Sequence, residues 1–425
     1  MITEDGICEF LKGVLEEIKP LIPPGRHNWQ KAKIERTASR SSFAQSTGPN
    51  FSVSFLFQKQ DHFISLEKFT KSLEGDIHFQ RLRDRSLEHF KGALSHWIQP
   101  MVLATYLVQD YLKMVEKIEF LDSAARPIAR EFVKSLQSGI TIVVCSSVIQ
   151  GLELAFENQD LREGLRLRKL HDEEAVQHFL NYDDGFGHFL MTHKPMIAEI
   201  RFEFSSAGFP PSDIGSRVSS KFNNLVTAMR LIKPGRIELS GIWERREHLG
   251  QLAYLESKQG HRMDGKFFLA PLYRLDEVDV AKLSKYFTFI EKGVPNDRLQ
   301  NAINRLEFAS TRERMADQVL DLFIALETLF GDESGAIGYK IGMRCAKFVE
   351  KDHKARKELN ETISNFFKKR HDIVHGGTKA TKELTPDKVK RLFEIVQKAT
   401  GAFIDQFLSG GKMPEAKDFD SLLLE

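Results

Sequence analysis

Cysteine is scarce in this chain: Cys8, Cys145 and Cys345 are the only three, far apart and without a C-x-x-C pairing. That excludes a disulfide framework or a thiolate zinc site and points to a reducing cytoplasm. A charge excess is missing as well. The formal net charge is +2, with 21 Lys+Arg against 20 Asp+Glu from residue 301 onward and 40 against 39 upstream. A protein that coats nucleic acid nonspecifically carries a basic domain or stripe, so any such contact here is local or arises on assembly. There is no long uninterrupted apolar run. The longest, residues 139–156, is broken by Ser146, Ser147, Gln150 and Glu153 and is expected to be a buried strand or helix, not a membrane span. Glu4 and Asp5 stand where a signal peptide would be basic. Trp (3) and Tyr (7) are few beside 33 Phe, which read mainly as core packing.

What is present is ordinary for a globular chain of two or three domains: 425 residues, 41% hydrophobic and 28% charged. An amphipathic helix is expected over about 8–19, stopped by Pro20, Pro23, Pro24 and Gly25, and a polar run follows over 37–49. Phe51, Val53, Phe55 and Phe57 alternate as in a half-buried strand, and helical patterns cover about 76–121 and 126–136. Between 180 and 275 strands return: Ile200, Phe202 and Phe204 alternate with Arg201 and Glu203, Ile237 and Leu239 follow a Lys233-Pro234-Gly235 turn, and Phe267-Phe268-Leu269 precedes Pro271. No repeat of fixed period is visible. The fold class is α+β, a mixed α/β N-terminal region (1–292) followed by an all-α bundle.

Gly293, Pro295 and Asn296 mark the boundary. The bundle is expected over 297–408, with 409–425 as a tail. A long helix ends near Phe330 with the stripe Ala316, Val319, Phe323, Leu326, Phe330, and Gly331 stops it. A second helix, 336–349, carries Gly338, Gly342 and Ala346 four residues apart, a ridge that admits close approach of another helix. The third covers 354–375 and ends at Gly376-Gly377; the fourth starts at Thr385-Pro386-Asp387 and runs to about Leu408. Four helices with short loops make a bundle.

The third helix carries the chemistry. Leu359, Ile363, Phe366 and Val374 form its apolar stripe, and Arg370 lies on it, eleven residues from Leu359 and about 20° around the helix. A guanidinium there either reaches the rim or meets an anion, because a buried unpaired charge is costly. His375 is about 140° from Arg370 on a rigid helix, but it precedes Gly376-Gly377, where the helix unwinds. The pair suits phosphodiester cleavage: histidine moves protons near neutral pH, arginine holds phosphate oxygens and stabilises growing charge, and RNA supplies its own 2′-hydroxyl nucleophile. Lys368 and Lys369 add local positive charge.

The run Arg370-His371-Asp372-Ile373-Val374-His375-Gly376 resembles the R-x4-6-H signature of the HEPN superfamily, particularly its Apea-like branch. Leu320-Asp321-Leu322-Phe323-Ile324-Ala325-Leu326-Glu327-Thr328-Leu329-Phe330-Gly331 is similar to that branch's first-helix block, and Tyr339-Lys340-Ile341-Gly342-Met343-Arg344-Cys345-Ala346 to its second. The three blocks stand in order over about 305–408. The resemblance implies a four-helix module that dimerises, sets two R-x4-H segments across a shared cleft and cleaves RNA without metal or cofactor, often in prokaryotic defence or toxin systems. It gives Arg370, His375 and His371 as catalytic candidates, with Asp372, Glu327 and Lys369 supporting. His371 departs from the family's common Asn or Asp after the arginine. By analogy, the N-terminal region would sense an unknown trigger.

Three other readings stay open. His371 and His375 are i,i+4, about 40° apart, and His-Asp-x-x-His resembles H-E-x-x-H, which would make a metal hydrolase. The helix is otherwise structural, or the module binds a nucleotide, RNA or partner without turnover. Glu327 and Arg344 suit ion pairs between helices, and His353 a surface position. Upstream, His171, His178, His188 and His193 show no ligand spacing, and Asp61, His62, Asp183 and Asp184 fit loops as well as a site. No phosphate loop, nucleophile elbow or dinucleotide fingerprint occurs.

Overall fold

A computed structural model describes residues 1–22, 33–36, 41–44, 63–81, 83, 100–115, 117–138, 141–170, 196–204, 214–235, 237–239, 242–246, 252–256, 273–332, 337–376 and 381–424. The protein is α+β, with its sheet in the N-terminal half and helices at the C-terminus. The strand read at 51–57, the run at 267–269 and the histidines and aspartates at 61–62, 171–193 lie outside the described residues. Two compact units form, and the second recruits upstream chain: 149–157, 220–239 and 264–425.

In the first unit α1 (Glu4–Ile18) begins earlier than its apolar pattern, because Thr3 caps it by accepting from the Gly6 N–H at 3.1 Å. Glu4 and Asp5 then lie in its first turn, where negative charge meets the positive end of the helix dipole. It packs with α2 (Ile64–Glu74), α3 (Pro100–Met114) and α4 (Asp122–Ser138) around Leu11, Val14, Leu73, Leu107, Tyr111 and Phe132. Buried Asp76 accepts from the N–H groups of Ile2 (2.7 Å), His78 (2.9 Å) and Phe79 (3.2 Å). Burial pushes its carboxyl up, and those three donors outweigh burial and hold it below the ordinary carboxylate range.

Strands β1 (Lys33–Arg36) and β2 (Ser41–Ala44) form an antiparallel hairpin whose second strand falls in the run read as polar. The apolar run at 139–156 contains β3 (Thr141–Gln150), buried from Val144 to Ile149 on both faces, then a left-handed turn at Gly151 and β4 (Leu152–Leu154). Further strands are β5 (Asn158–Asp160), β6 (Leu165–Lys169) and β7 (Met196–Phe204). After α5 (Ile214–Arg230) come β8 (Glu238–Leu239), β9 (Ile242–Arg246) and β10 (Leu252–Glu256). The main sheet has the order β10-β9-β3-β7-β6-β5. In β6, Leu165 and Leu167 are buried while Arg166 is exposed, the period-2 pattern of a half-buried strand. No helix among the described residues is long and apolar enough to cross a membrane.

The second unit pairs β11 (Tyr273–Leu275) in parallel with β4 and continues into α6 (Glu277–Glu291), closed by a capping box between Asp276 and Asp279. Gly293, read as a boundary, is a left-handed turn inside this unit. The reason is that α6 is fastened downstream: Tyr286 donates to the Gly401 carbonyl at 3.2 Å and Lys285 pairs with Asp405 at 2.9 Å. The single long helix expected before Phe330 is two, α7 (Asp297–Thr311) and α8 (Met315–Phe330). The chain turns extended at Arg312, and buried Asp321 receives both Arg305 and Arg312 at 2.9 Å. No glycine or proline announces that break.

Helices α9 (Ile337–Val349) and α10 (His353–Val374) use the small-residue ridge: a Cβ on Gly338 would stand 2.5 Å from the Phe367 ring, and one on Gly342 would run into Asn360. Thr385 caps α11 (Pro386–Leu408), with Pro386 at its first position. The stretch read as a tail carries α12 (Ala416–Leu424), whose Phe419 is 1% exposed and packs its ring against Phe330, Phe348 and Phe403. The bundle therefore continues past residue 408.

Candidate functional site

The site residues sit at the C-terminal end of α10. Asp352 starts this helix by accepting from the Ala355 N–H at 2.8 Å, and Leu359, Ile363 and Phe366 bury one face. Val374, read as part of that stripe, is 53% exposed, so the apolar face ends a turn earlier, at the half-buried Arg370. His375 closes the helix: its N–H still bonds the His371 carbonyl at 3.1 Å, its ψ opens to 14°, and Gly376 follows at φ +79°. A left-handed residue there favours glycine and reverses the chain.

Arg370 reaches an anion within its own chain. Its Nη2 stands 3.3 Å and 3.4 Å from the two carboxylate oxygens of Glu327 on α8. This ion pair between helices explains a guanidinium on the apolar stripe. Both side chains are nearly a third exposed, so the pair contributes roughly 0–1 kcal/mol. One nitrogen serves both oxygens at long range. Nε is buried without an acceptor, and Nη1 takes no partner among the described residues. An unmet donor costs on the order of 1–3 kcal/mol, so Arg370 keeps unused capacity for an oxyanion.

The imidazoles of His371 and His375 stand together, ring centroids 4.4 Å apart and planes inclined by 60°. Both residues are exposed, and neither imidazole has a hydrogen-bond or ion-pair partner among the described residues. Asp372 is also exposed, and Lys368 faces solvent. Lys369 is committed to Glu383 on the following segment. No hydrogen bond or ion pair joins Arg370 to His375 within one chain among the described residues. Nor do the described residues contain a cluster of three or more His, Cys, Asp or Glu spaced for a metal ion, so the two histidines have no third ligand there.

Arg344 and Cys345 are structural. Arg344 is fully buried; it holds Asp420 of α12 through Nε and Nη2, Asp332 at 2.7 Å and the Phe330 carbonyl at 2.9 Å. Burial pulls its charge down, and the two aspartates more than restore it. Burial also pushes the neighbouring Cys345 thiol far up, so it supplies no thiolate nucleophile. His353 is an exposed first residue of α10. Sequence reasoning missed Asp332 and Asp420 as the partners of Arg344; both lie outside the periodic blocks and carried no signal. Compared with protein-family models, with curated proteins and with solved structures, the chain matches none.

Proposed function

We propose that the chain is a metal-independent endoribonuclease of the HEPN type, acting through Arg370 and His375. The observation that carries the reading is one helix terminus that presents two free imidazoles beside a guanidinium with uncommitted donors. In this reading His375 takes the proton of an RNA 2′-hydroxyl and the oxygen attacks the adjacent phosphorus. The bond to the 5′-oxygen breaks, that oxygen regains a proton, and the products are a 2′,3′-cyclic phosphate and a 5′-hydroxyl. Arg370 turns its free N–H groups onto the phosphate oxygens as charge grows on them. His371 orients the phosphate or the second histidine. Asp372 and Lys369 shape the field around the segment, and Glu327 holds Arg370 until phosphate competes for it. The setting would be the cytoplasm, as a prokaryotic defence or toxin effector whose N-terminal unit senses a trigger.

The absence of a direct Arg370–His375 contact within one chain favours a shared cleft, in which a two-fold dimer through residues 297–408 supplies one residue from each copy. It would also gather Lys368, Lys369 and Arg370 twice, a basic patch that the balanced monomer lacks. The same observation favours a second reading, a module that binds RNA or a nucleotide without turnover. Light scattering should read twice the 48.7 kDa chain. Mixing Arg370→Ala with His375→Ala should restore about a quarter of wild-type cleavage, since half the dimers are mixed and each keeps one intact centre. A monomer, or a mixture as dead as its parents, would rule out the shared cleft.

A further inference from the structure

The His371–His375 pair has a geometry that proton transfer does not require. Two imidazoles bound to one divalent ion at about 2.0–2.1 Å, with a bite of 90–110°, have ring centroids about 4.5–5.2 Å apart. Here the centroids are already 4.4 Å apart, with both rings free of protein partners among the described residues. The two residues are exposed one turn apart, so an ion arrives from solvent without unfolding anything. His375 sits at the helix end before left-handed Gly376, where side-chain rotation and a small φ change adjust the bite. Imidazole prefers zinc, copper and nickel over magnesium or calcium. Among the described residues no third side chain completes a protein cage, so the remaining positions are left to water.

We infer that His371 and His375 form a two-imidazole chelate for a zinc-class divalent ion, and that filling it switches the site off. Ion binding stands on the ring geometry alone; the switching rests on the ribonuclease reading. A ring nitrogen that ligates zinc has no lone pair left to accept the 2′-hydroxyl proton. Metal is thus an inhibitor here, the opposite of the hydrolase role that His-x-x-x-His suggests.

The test uses the full, untagged chain stripped of metal. Calorimetric titration with Zn²⁺ is expected to show one ion per chain, and zinc should protect His371 and His375 from histidine-modifying reagent read by mass spectrometry. Either His371→Ala or His375→Ala should weaken binding by at least about tenfold. Both side chains are exposed, so the variants should melt like the wild type, and magnesium should not compete. No binding, or binding that survives in the double variant, overturns the chelate. In an RNA cleavage assay zinc should stop the reaction and EDTA restore it. Zinc bound at the pair with cleavage undiminished overturns the switch, while zinc bound by a protein that never cleaves RNA leaves the chelate standing and removes the ribonuclease reading.

Discussion

Replacing His375 with alanine is expected to lower RNA cleavage by about 10²–10⁴-fold while RNA affinity stays within a few-fold of wild type. The side chain is exposed and packs no core, so the melting temperature should not move. Its backbone N–H, not its imidazole, makes the bond that closes α10, and alanine keeps that bond. A cleavage loss therefore reports proton transfer and not folding. Comparing turnover with binding separates the two readings of this helix end. Loss of turnover with binding retained fits general acid–base catalysis; equal loss of both fits a histidine that only contacts ligand; no loss at all removes His375 from the chemistry.

The second large effect is on stability. Arg344→Met should cost about 3 kcal/mol or more, because it takes from Asp332 its close guanidinium partner, leaving the longer Lys340 pair at 3.7 Å, and frees Asp420 together with α12. The Phe330 carbonyl also loses its donor inside the core. Equilibrium urea unfolding of the full chain measures the effect. Deleting residues 409–425 should destabilise the bundle comparably, since it removes both Asp420 and the Phe419 ring from the Phe330–Phe348–Phe403 cluster. An Arg344→Met protein as stable as wild type would mean that the buried guanidinium is replaceable by apolar volume and that α12 is held by Phe419 alone.

The C-terminal helices were legible where a local signal repeats or punctuates. The 3-4 stripe of α8, the glycine ridge of α9 and the Thr385-Pro386 start of α11 each state a physical requirement within a few residues. The break at Arg312 was not legible, because an extended residue stabilised by Asp321, nine positions on, leaves no mark in composition. Nor was α12: a short, polar-flanked segment after Gly410 and Gly411 reads as a tail until Arg344 and the Phe330 ring are known to wait for it. For the site, spacing gave the i,i+4 histidines and put Arg370 on the apolar face. Which carboxylate meets Arg370 depends on how α8 lies against α10, and no periodicity encodes that. Val374 was misplaced because the stripe was extended by spacing beyond the point where α10 still has a helix to cover it.

The most direct measurement follows one RNA oligonucleotide and the same oligonucleotide with 2′-deoxy sugars, each incubated with the wild-type chain in EDTA and, if a trigger is required, in its presence. The proposal predicts cleavage of the RNA in chelator, 2′,3′-cyclic phosphate or 3′-phosphate ends, and an intact deoxy strand, since only the 2′-hydroxyl supplies the nucleophile. Cleavage of the deoxy strand, 3′-hydroxyl ends, or activity that vanishes in EDTA and returns with zinc would contradict it and move the chemistry of His371 and His375 to a metal.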